Sequence, residues 1–515
     1  MAGFFVKICK KTFQDHMIPI FNQQIFLLFC VAKFLQIMSL INLQHIKSWV
    51  IPSVLLLLLM GCEREYLFRG DEAGVRFSVD TVRFDTIFTD LGSATKNFKI
   101  YNPSSQDMVI EAIQLAGGDQ SNYRININGE PVDFITDVRL KGRDSLFVFV
   151  DVSINPSGEN APFFVNDSIL IYTQQRLQSV QLVAYGQDVV RLTREKLKSQ
   201  RLTKDKPYLI TDYVEVDSLQ TLTIEAGTQL YFGNDASLIV YGSLVVNGTL
   251  EEPVLFAGAR REAWYKDKPG QWGHIQLMPG SGESMINYAH IRNSKFGLVI
   301  DSVGLGDKMP VRITNSRIEH ISGYGIIAQN AGVEVGNCLI ANCGKSLAAL
   351  TVGGRYDFTH CTLANFYGWS FRTHPSLLIS NYYLDKRNNP VVAPIERATF
   401  KNCIVYGRNE TELLLDLKKD ETLAGRDNIS FVNCLVKVPK SFDMSDGSMF
   451  RQVIRDEDPK FVKPLEYNFQ LDTLSVAKDV GNIAFSQAYP LDILGKSRFE
   501  DDSCDMGAYE RVEKK

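Results

Sequence analysis

From about Tyr66 to Val190 apolar and polar residues alternate in short runs such as "KNFKIYN", "DMVIEAIQL", "SLFVFVDVSI", "DSILIYT" and "SVQLVAYG". A period of two puts successive side chains on opposite faces of a strand, and no helical period competes with it. Asn102-Pro103-Ser104, Asn128-Gly129 and Pro156-Ser157 punctuate the runs as turns. About seven strands in about 120 residues predict a β-sandwich.

Beyond Leu202 the pattern becomes a repeat of roughly 22 to 23 residues, the range of a solenoid. Six segments share one frame: "INYAHIRN" from Ile286, "ITNSRIEH" from Ile313, "VGNCLIAN" from Val335, "FTHCTLAN" from Phe358, "FKNCIVYG" from Phe400 and "FVNCLVKV" from Phe431. Each reads apolar, any, bend residue, small residue, any, apolar. In a strict strand Phe431 and Asn433 would share one face, and Cys434 and Val436 the other. Both pairs reach a core only if the chain turns between them. Asn315, Asn337, Asn402 and Asn433 supply that turn, because asparagine tolerates the left-handed region; Tyr288 and His360 stand in the same slot. The small slot holds Ala289, Ser316, Cys338, Cys361, Cys403 and Cys434.

Stacking such coils predicts an asparagine ladder and a file of inward thiols. In-register side chains stand ~4.8 Å apart, beyond the ~3.8 Å Cβ separation of a disulfide. Zinc needs four converging ligands, which a linear file does not offer. The four thiols are therefore read as packing units, since free cysteine behaves as a small buried hydrophobe.

This frame resembles the right-handed parallel β-helix of the pectate-lyase-like superfamily, over roughly Leu202 to Glu510. "DMGAYE" from Asp505 resembles the C-terminal ending of many secreted bacterial β-helix proteins, and is assigned to a cap over the terminal coil. The earlier region resembles immunoglobulin-like domains of the abnormal-spindle and hydin type, in the turn at Asn102 and Pro103, Gly142 to Ser145 before "LFVFVDV", and the closing Val180 to Gly186. The expected fold is all-β: an immunoglobulin-like β-sandwich over 71–190, then a right-handed parallel β-helix with its cap over 191–515.

The resemblance implies that any carbohydrate chemistry would use an outward row of carboxylates, with calcium or an Arg or Lys base. With the residue after Gly297, Gly325, Ser346 and Gly368 taken as inward, Val299, Ile327, Ala348 and Ser370 face out, a row that offers calcium no oxygen cage. The next outward row holds Asp301, Gln329 and Arg372, spread too far for shared acid–base work. Arg317, Glu319 and His320, near His290 and His360, form the alternative charged cluster; the plainer reading is a solvated face. No phosphate-binding glycine loop, dinucleotide fingerprint, zincin helix or nucleophile elbow occurs. No catalytic or metal-ligating residue is assigned.

Aromatic loops offer the better lead. "ARREAWYKDKPGQW" (Ala259 to Trp272) and "SNYYLDKRNNP" (Ser380 to Pro390) interrupt the repeat. Their Trp264, Tyr265, Tyr382 and Tyr383 are candidates for stacking on sugar rings; the plainer reading is that they pack the loops onto the solenoid.

The 515 residues carry 55 Lys+Arg against 59 Asp+Glu, and beyond residue 61 the balance is 50 against 58. That excess of acid argues against nucleic acid. "MSLINLQHIKSWVIPSVLLLLLMGC", from Met38, resembles a bacterial lipoprotein signal peptide in which Leu59-Met60-Gly61-Cys62 is the processing tetrad and Cys62 receives the lipid. Residues 1–61 are then an upstream extension and signal, and 62–70 an anchor linker. These readings give a lipid-anchored envelope protein, most simply of the outer membrane, that binds a glycan or surface protein without catalysis. A polysaccharide lyase or glycoside hydrolase on an acidic polysaccharide, and a structural or assembly role, are the alternatives; calcium enters only with the lyase, and no other cofactor is expected.

Overall fold

The computed structural model describes residues 74–174, 176–306, 310–419, 428–500 and 503–512. Cys62 and the signal segment lie outside the described residues.

Two five-stranded sheets form the N-terminal domain. One orders Arg76–Phe77, Lys96–Tyr101, Ser145–Val152, Tyr123–Ile127 and Glu130–Val132; the other orders Thr81–Phe88, Arg176–Gln187, Phe163–Thr173, Met108–Leu115 and Phe134–Leu140. Alternate residues of these strands, among them Phe98, Ile100, Val148, Val150, Ile169, Ile171 and Leu182, are buried in one core. The result is a β-sandwich. Its Asn102-Pro103 turn is a side-chain node: the Asn102 amide donates to the carbonyls of Gln106, Leu140 and Lys141 at 2.8–3.1 Å, while its oxygen accepts from the Ser104 amide.

Residues 190–455, as far as they are described, wind into a right-handed parallel β-helix. Sheet I has eleven strands from Val190–Leu192 to Ile454–Arg455, sheet II nine from Glu195–Leu197 to Leu413–Asp416, and sheet III ten from Gln200–Leu202 to Phe450–Arg451. Equivalent residues stack coil on coil: Ile291, Ile318, Ile340, Leu363, Val405 and Val436 form one inward file on sheet I. Phe358, Phe400, Phe431 and Phe450 form another on sheet III, with centroids 5.0, 4.7 and 5.5 Å apart.

The corner from sheet III to sheet I is where the frame turns. Tyr288, Asn315, Asn337, His360, Asn402 and Asn433 all adopt the left-handed conformation, with φ from +46° to +53°. Asn337 donates to Asn315, and Asn315 to Asn287, each at 2.8 Å. At His360 the ladder changes partner: its Nε2 lies 3.1 Å from the Asn402 amide and 2.9 Å from Ser486 Oγ. Cys338, Cys361, Cys403 and Cys434 are fully buried in register beyond the corner. Each thiol donates to the carbonyl two residues back, at 3.1–3.4 Å, as Ser316 does at 2.7 Å. The slot thus wants a small donor that closes the last carbonyl of the preceding strand. Cys343 in the solenoid core and Cys504 beside Asn402 are also buried, and all six of these thiols are free.

The three outer faces differ. Sheet III is charged, with Arg312–Glu334 at 3.2 Å and pairs Arg397–Asp357 and Arg201–Glu225. Sheet I is covered. Phe88 of the sandwich packs on Tyr231, with Leu209 and Ala257, at its first coils. Further along, Phe461, Phe469, Leu471, Met506, Ala508 and Tyr509 pack on Leu339, Ala341, Ala364, Ile404 and Leu435. "DMGAYE" therefore lies along the flank, with Gly507 donating to the Asn402 carbonyl and Ala508 to Thr362 Oγ1, rather than across the terminal coil. The physical reason is the apolar outward row of sheet I, which needs cover. Phe442, Met444 and Met449 pack at the terminal coil instead, Phe442 meeting Phe450 edge on.

Candidate functional site

Sheet II, like the charged sheet III, is left open over much of its length among the described residues, and its outward residues are mostly uncharged. Its register places Ile239, Gln276, Val299, Ile327, Ala349, Leu378 and Leu414 in one outward row. Ala348, expected to face out, pairs with the inward Ile326. Leu347 and Ala348 are both fully buried because the chain bends between Ser346 and the strand. Ser370 is not in the sheet at all, since the strand of that coil is Leu377–Ser380. The neighbouring outward row is polar, running Asp301, Gln329, Thr351, Ser380, Asp416.

Arg372, expected in that row, turns inward and pairs with Glu412 at 2.5 and 2.8 Å, both side chains buried. Glu412 also accepts from the Ser376 amide and hydroxyl and from the Asn409 amide. The pair locks the excursion 366–376 at the border of sheets I and II. That excursion carries Trp369, 44% exposed, and Phe371, 91% exposed.

Trp264, 68% exposed, reaches the same border from the other excursion and meets Trp369 edge to face. Its loop is held by Trp272, stacked on Phe232 at 4.1 Å and donating from Nε1 to the Arg292 carbonyl. Gln271 and Asn293 add donors to the carbonyls of Tyr265, Lys266 and Lys268 at 2.6–3.0 Å. Tyr265 lies under Arg260 and Lys268, at 4.2 and 5.0 Å. Beside them His274, Phe296, Tyr324 and His374 form a file of half-buried rings at centroid spacings of 6.2, 6.4 and 5.9 Å.

The opposite border, between sheets II and III, bears the hairpin of Tyr382–Leu384 and Pro390–Val392. Tyr382 donates to Asp416 at 2.7 Å and lies under Lys418, while Tyr383 is 48% exposed. The four aromatic candidates thus sit in two groups on either side of sheet II. Trp369 and Phe371 were not read from the sequence, where "GWSF" imitates the alternation of a strand.

Arg317, Glu319 and His320 do come together, but not on a solvated face. Glu319 is buried, with Oε1 2.7 Å from His290 Nε2 and Oε2 3.5 Å from Arg317. Burial alone would push its carboxyl up, yet His290, Arg317 and His320 hold it well below the ordinary range. His320 lies 3.8 Å from Asp267, which pairs with Arg292 at 3.0 Å, and its ring meets Tyr467 at 4.5 Å. Tyr467 and Tyr509 of the C-terminal segment supply part of the cover. His360 belongs instead to the asparagine corner. Both carboxylates are neutralised by cations, which suits a structural knot better than an acid and base. Among the described residues no three His, Cys, Asp or Glu side chains are grouped to hold a metal.

A family model described as a right handed beta helix region matches residues 280–448. None of the curated proteins compared matches the chain. Among solved structures the chain is similar to a family 123 glycoside hydrolase from Clostridium perfringens, studied for glycolipid glycan hydrolysis, at 8% identity and TM-score 0.16, covering 22% of this chain and 26% of that one. It is similar also to an ASH / PapD-like domain of human CEP192, at 8% identity and TM-score 0.16, covering 25% of this chain and 94% of that domain. The chain spans about a quarter of the first of these structures. Neither likeness bears on function.

Proposed function

We propose that the protein is a lipid-anchored bacterial envelope protein that binds a glycan along the open face of sheet II, without catalysis. The N-terminal sandwich is an immunoglobulin-like spacer between the lipid on Cys62 and the solenoid, on the outer membrane. One observation carries the reading: an apolar row beside a polar row, bordered by the exposed rings of Trp264 and Trp369. Sugar rings have the complementary make-up, with apolar C–H faces for rings and aliphatic side chains, and hydroxyls for Asp301, Gln329 and Asp416.

One distance supports the non-catalytic reading. Asp301 and Asp416 stand four strand spacings apart in their row, roughly 19 Å, whereas glycosidases need carboxyl pairs at about 5–9.5 Å.

Affinity electrophoresis of the full chain in nonionic detergent, through gels carrying neutral and acidic polysaccharides, tests the reading. Retardation by at least one glycan, without release of reducing ends or unsaturated product, is the expected result. Product formation would replace binding with catalysis, and silence on every glycan with specific capture of one envelope protein would replace it with an assembly role.

A further inference from the structure

We infer that a cavity between the sandwich and the solenoid is a second binding site, for a compact organic oxyanion gripped by Arg261. The cavity measures about 300 Å³ and is walled by the strand from Phe84 to Phe88, the turn from Leu91 to Lys96, and the chain from Ala259 to Glu262. It lies apart from sheet II, where sheet I meets the sandwich.

Arg261 is exposed, and its guanidinium lies 5.6 Å from the ring of Phe88 and 5.0 Å from that of Tyr231. Those rings belong to the two different domains and stand 4.9 Å apart. Stacking occupies the face of a guanidinium and leaves its in-plane N–H fork for a planar or tetrahedral oxyanion.

The neighbouring charges leave that fork open. Glu262 is engaged by Arg260 through contacts of 2.7, 2.9 and 3.1 Å, so it does not neutralise Arg261. Lys96 adds a second cation, its Nζ bonded to the Arg83 carbonyl at 2.6 Å. Asp85 lines the cavity and opposes an anion, but Lys96, Arg260 and Arg261 outnumber Asp85 and Glu262. Among the described residues Arg261 has no carboxylate partner.

The remaining wall is mostly apolar, with Thr86 and Ser93 as its uncharged polar side chains. Ile87 and Phe88 are buried beneath it, and Leu91 at its lip is 37% exposed. The complementary ligand is therefore a carboxylate or phosphate head on a small apolar or sugar body, and not a bare inorganic ion alone. A site at the seam of two domains also makes occupancy stiffen their junction, because the ligand touches both.

The test is calorimetric titration of the full chain with sodium benzoate, sodium glucuronate and sodium phosphate at constant ionic strength, with benzamide as the uncharged counterpart of benzoate. Saturable binding of benzoate or glucuronate, tighter than that of phosphate, none of benzamide, and a loss of roughly tenfold or more in R261A is expected. The preferred organic anion separates an aromatic body from a sugar one. W369A, altered on the glycan face, binds the anion as the native chain does, so failure of the glycan reading leaves this result standing. No saturable heat with benzoate or glucuronate, even where phosphate binds, or equal binding by native and R261A chains of matching melting temperature, overturns the inference and leaves Arg261 as a mere staple between domains.

Discussion

Trp264 and Trp369 meet edge to face, their centroids 6.3 Å apart and their planes at 82°. Their loops precede the strands Ile275–Leu277 and Leu377–Ser380, four spacings apart in sheet II, or about 19 Å. The two excursions therefore lean toward each other across the coils between them.

If this junction organises the glycan face, W264A and W369A each weaken polysaccharide retention several-fold while the melting temperature barely moves, because both rings are largely solvent-facing. The double variant loses less than the sum. A double-mutant cycle on binding is expected to give a coupling of about 0.5–1.5 kcal/mol.

The Arg372–Glu412 pair is a different kind of contact, buried and fully hydrogen-bonded. Glu412→Gln leaves a guanidinium without its counter-charge, and is expected to destabilise the chain by about 3–5 kcal/mol in urea unfolding. It also loosens the loop bearing Trp369, so glycan retention falls with it. The double change R372M/E412L removes both charges but leaves the Ser376 and Asn409 amides without their acceptor, so it recovers only part of the stability.

Acid acts through Glu319 and His320. The Glu319 carboxyl is held below its ordinary value of 4.5, so its stabilisation is fully present above that pH and is lost as pH falls toward the folded value. Burial lowers His320 from 6.5, so the unfolded chain takes up that proton first and stability again falls on the acid side. Melting temperature is expected to drop between pH 6.5 and 3. In E319Q the native chain melts lower at pH 7, and the acid slope is shallower.

The repeat was legible because its frame is set by backbone geometry. A left-handed corner and a small residue after it leave a residue signature in six successive coils, even where Tyr288 or His360 replaces asparagine. The phase of sheet II was harder to read. "SLAAL" offers apolar residues at every position, and the bend at Ser346 buries both Leu347 and Ala348, so alternation cannot tell inside from outside. "GWSF" misled for another reason: its apolar residues alternate like a strand although Phe371 faces water. The spacing held the warning, since 22 residues separate Asn315 from Asn337 but 42 separate His360 from Asn402. The surplus is shared by two excursions, and only the hairpin around Tyr382 had stood out. The flank cover over sheet I had no sequence period to reveal it.

The corner makes a sharp test of that signature. N337G keeps the left-handed backbone and forfeits side-chain hydrogen bonds to Asn315 and Arg498, at an expected cost of about 1–3 kcal/mol. N337V adds backbone strain of about 1–2 kcal/mol to that loss. Denaturant midpoints should fall in the order native, N337G, N337V.

The thiol file should be chemically silent. Cys338, Cys361, Cys403 and Cys434 are fully buried, out of reach of a reagent in water, and burial pushes the Cys338 thiol up to about 12. Mass spectrometry after iodoacetamide treatment is expected to find Cys338, Cys343, Cys361, Cys403, Cys434 and Cys504 unmodified in the native chain. All six should be alkylated in denaturant without prior reduction.

The flank cover also sets an order of events in biosynthesis. Phe461, Phe469, Leu471, Met506, Ala508 and Tyr509 dock on coils completed long before them, so a growing chain carries the bare apolar side of sheet I until these residues leave the ribosome. A premature stop near Pro459 would spare nearly every rung of the solenoid and still leave this apolar flank bare, a surface prone to self-association.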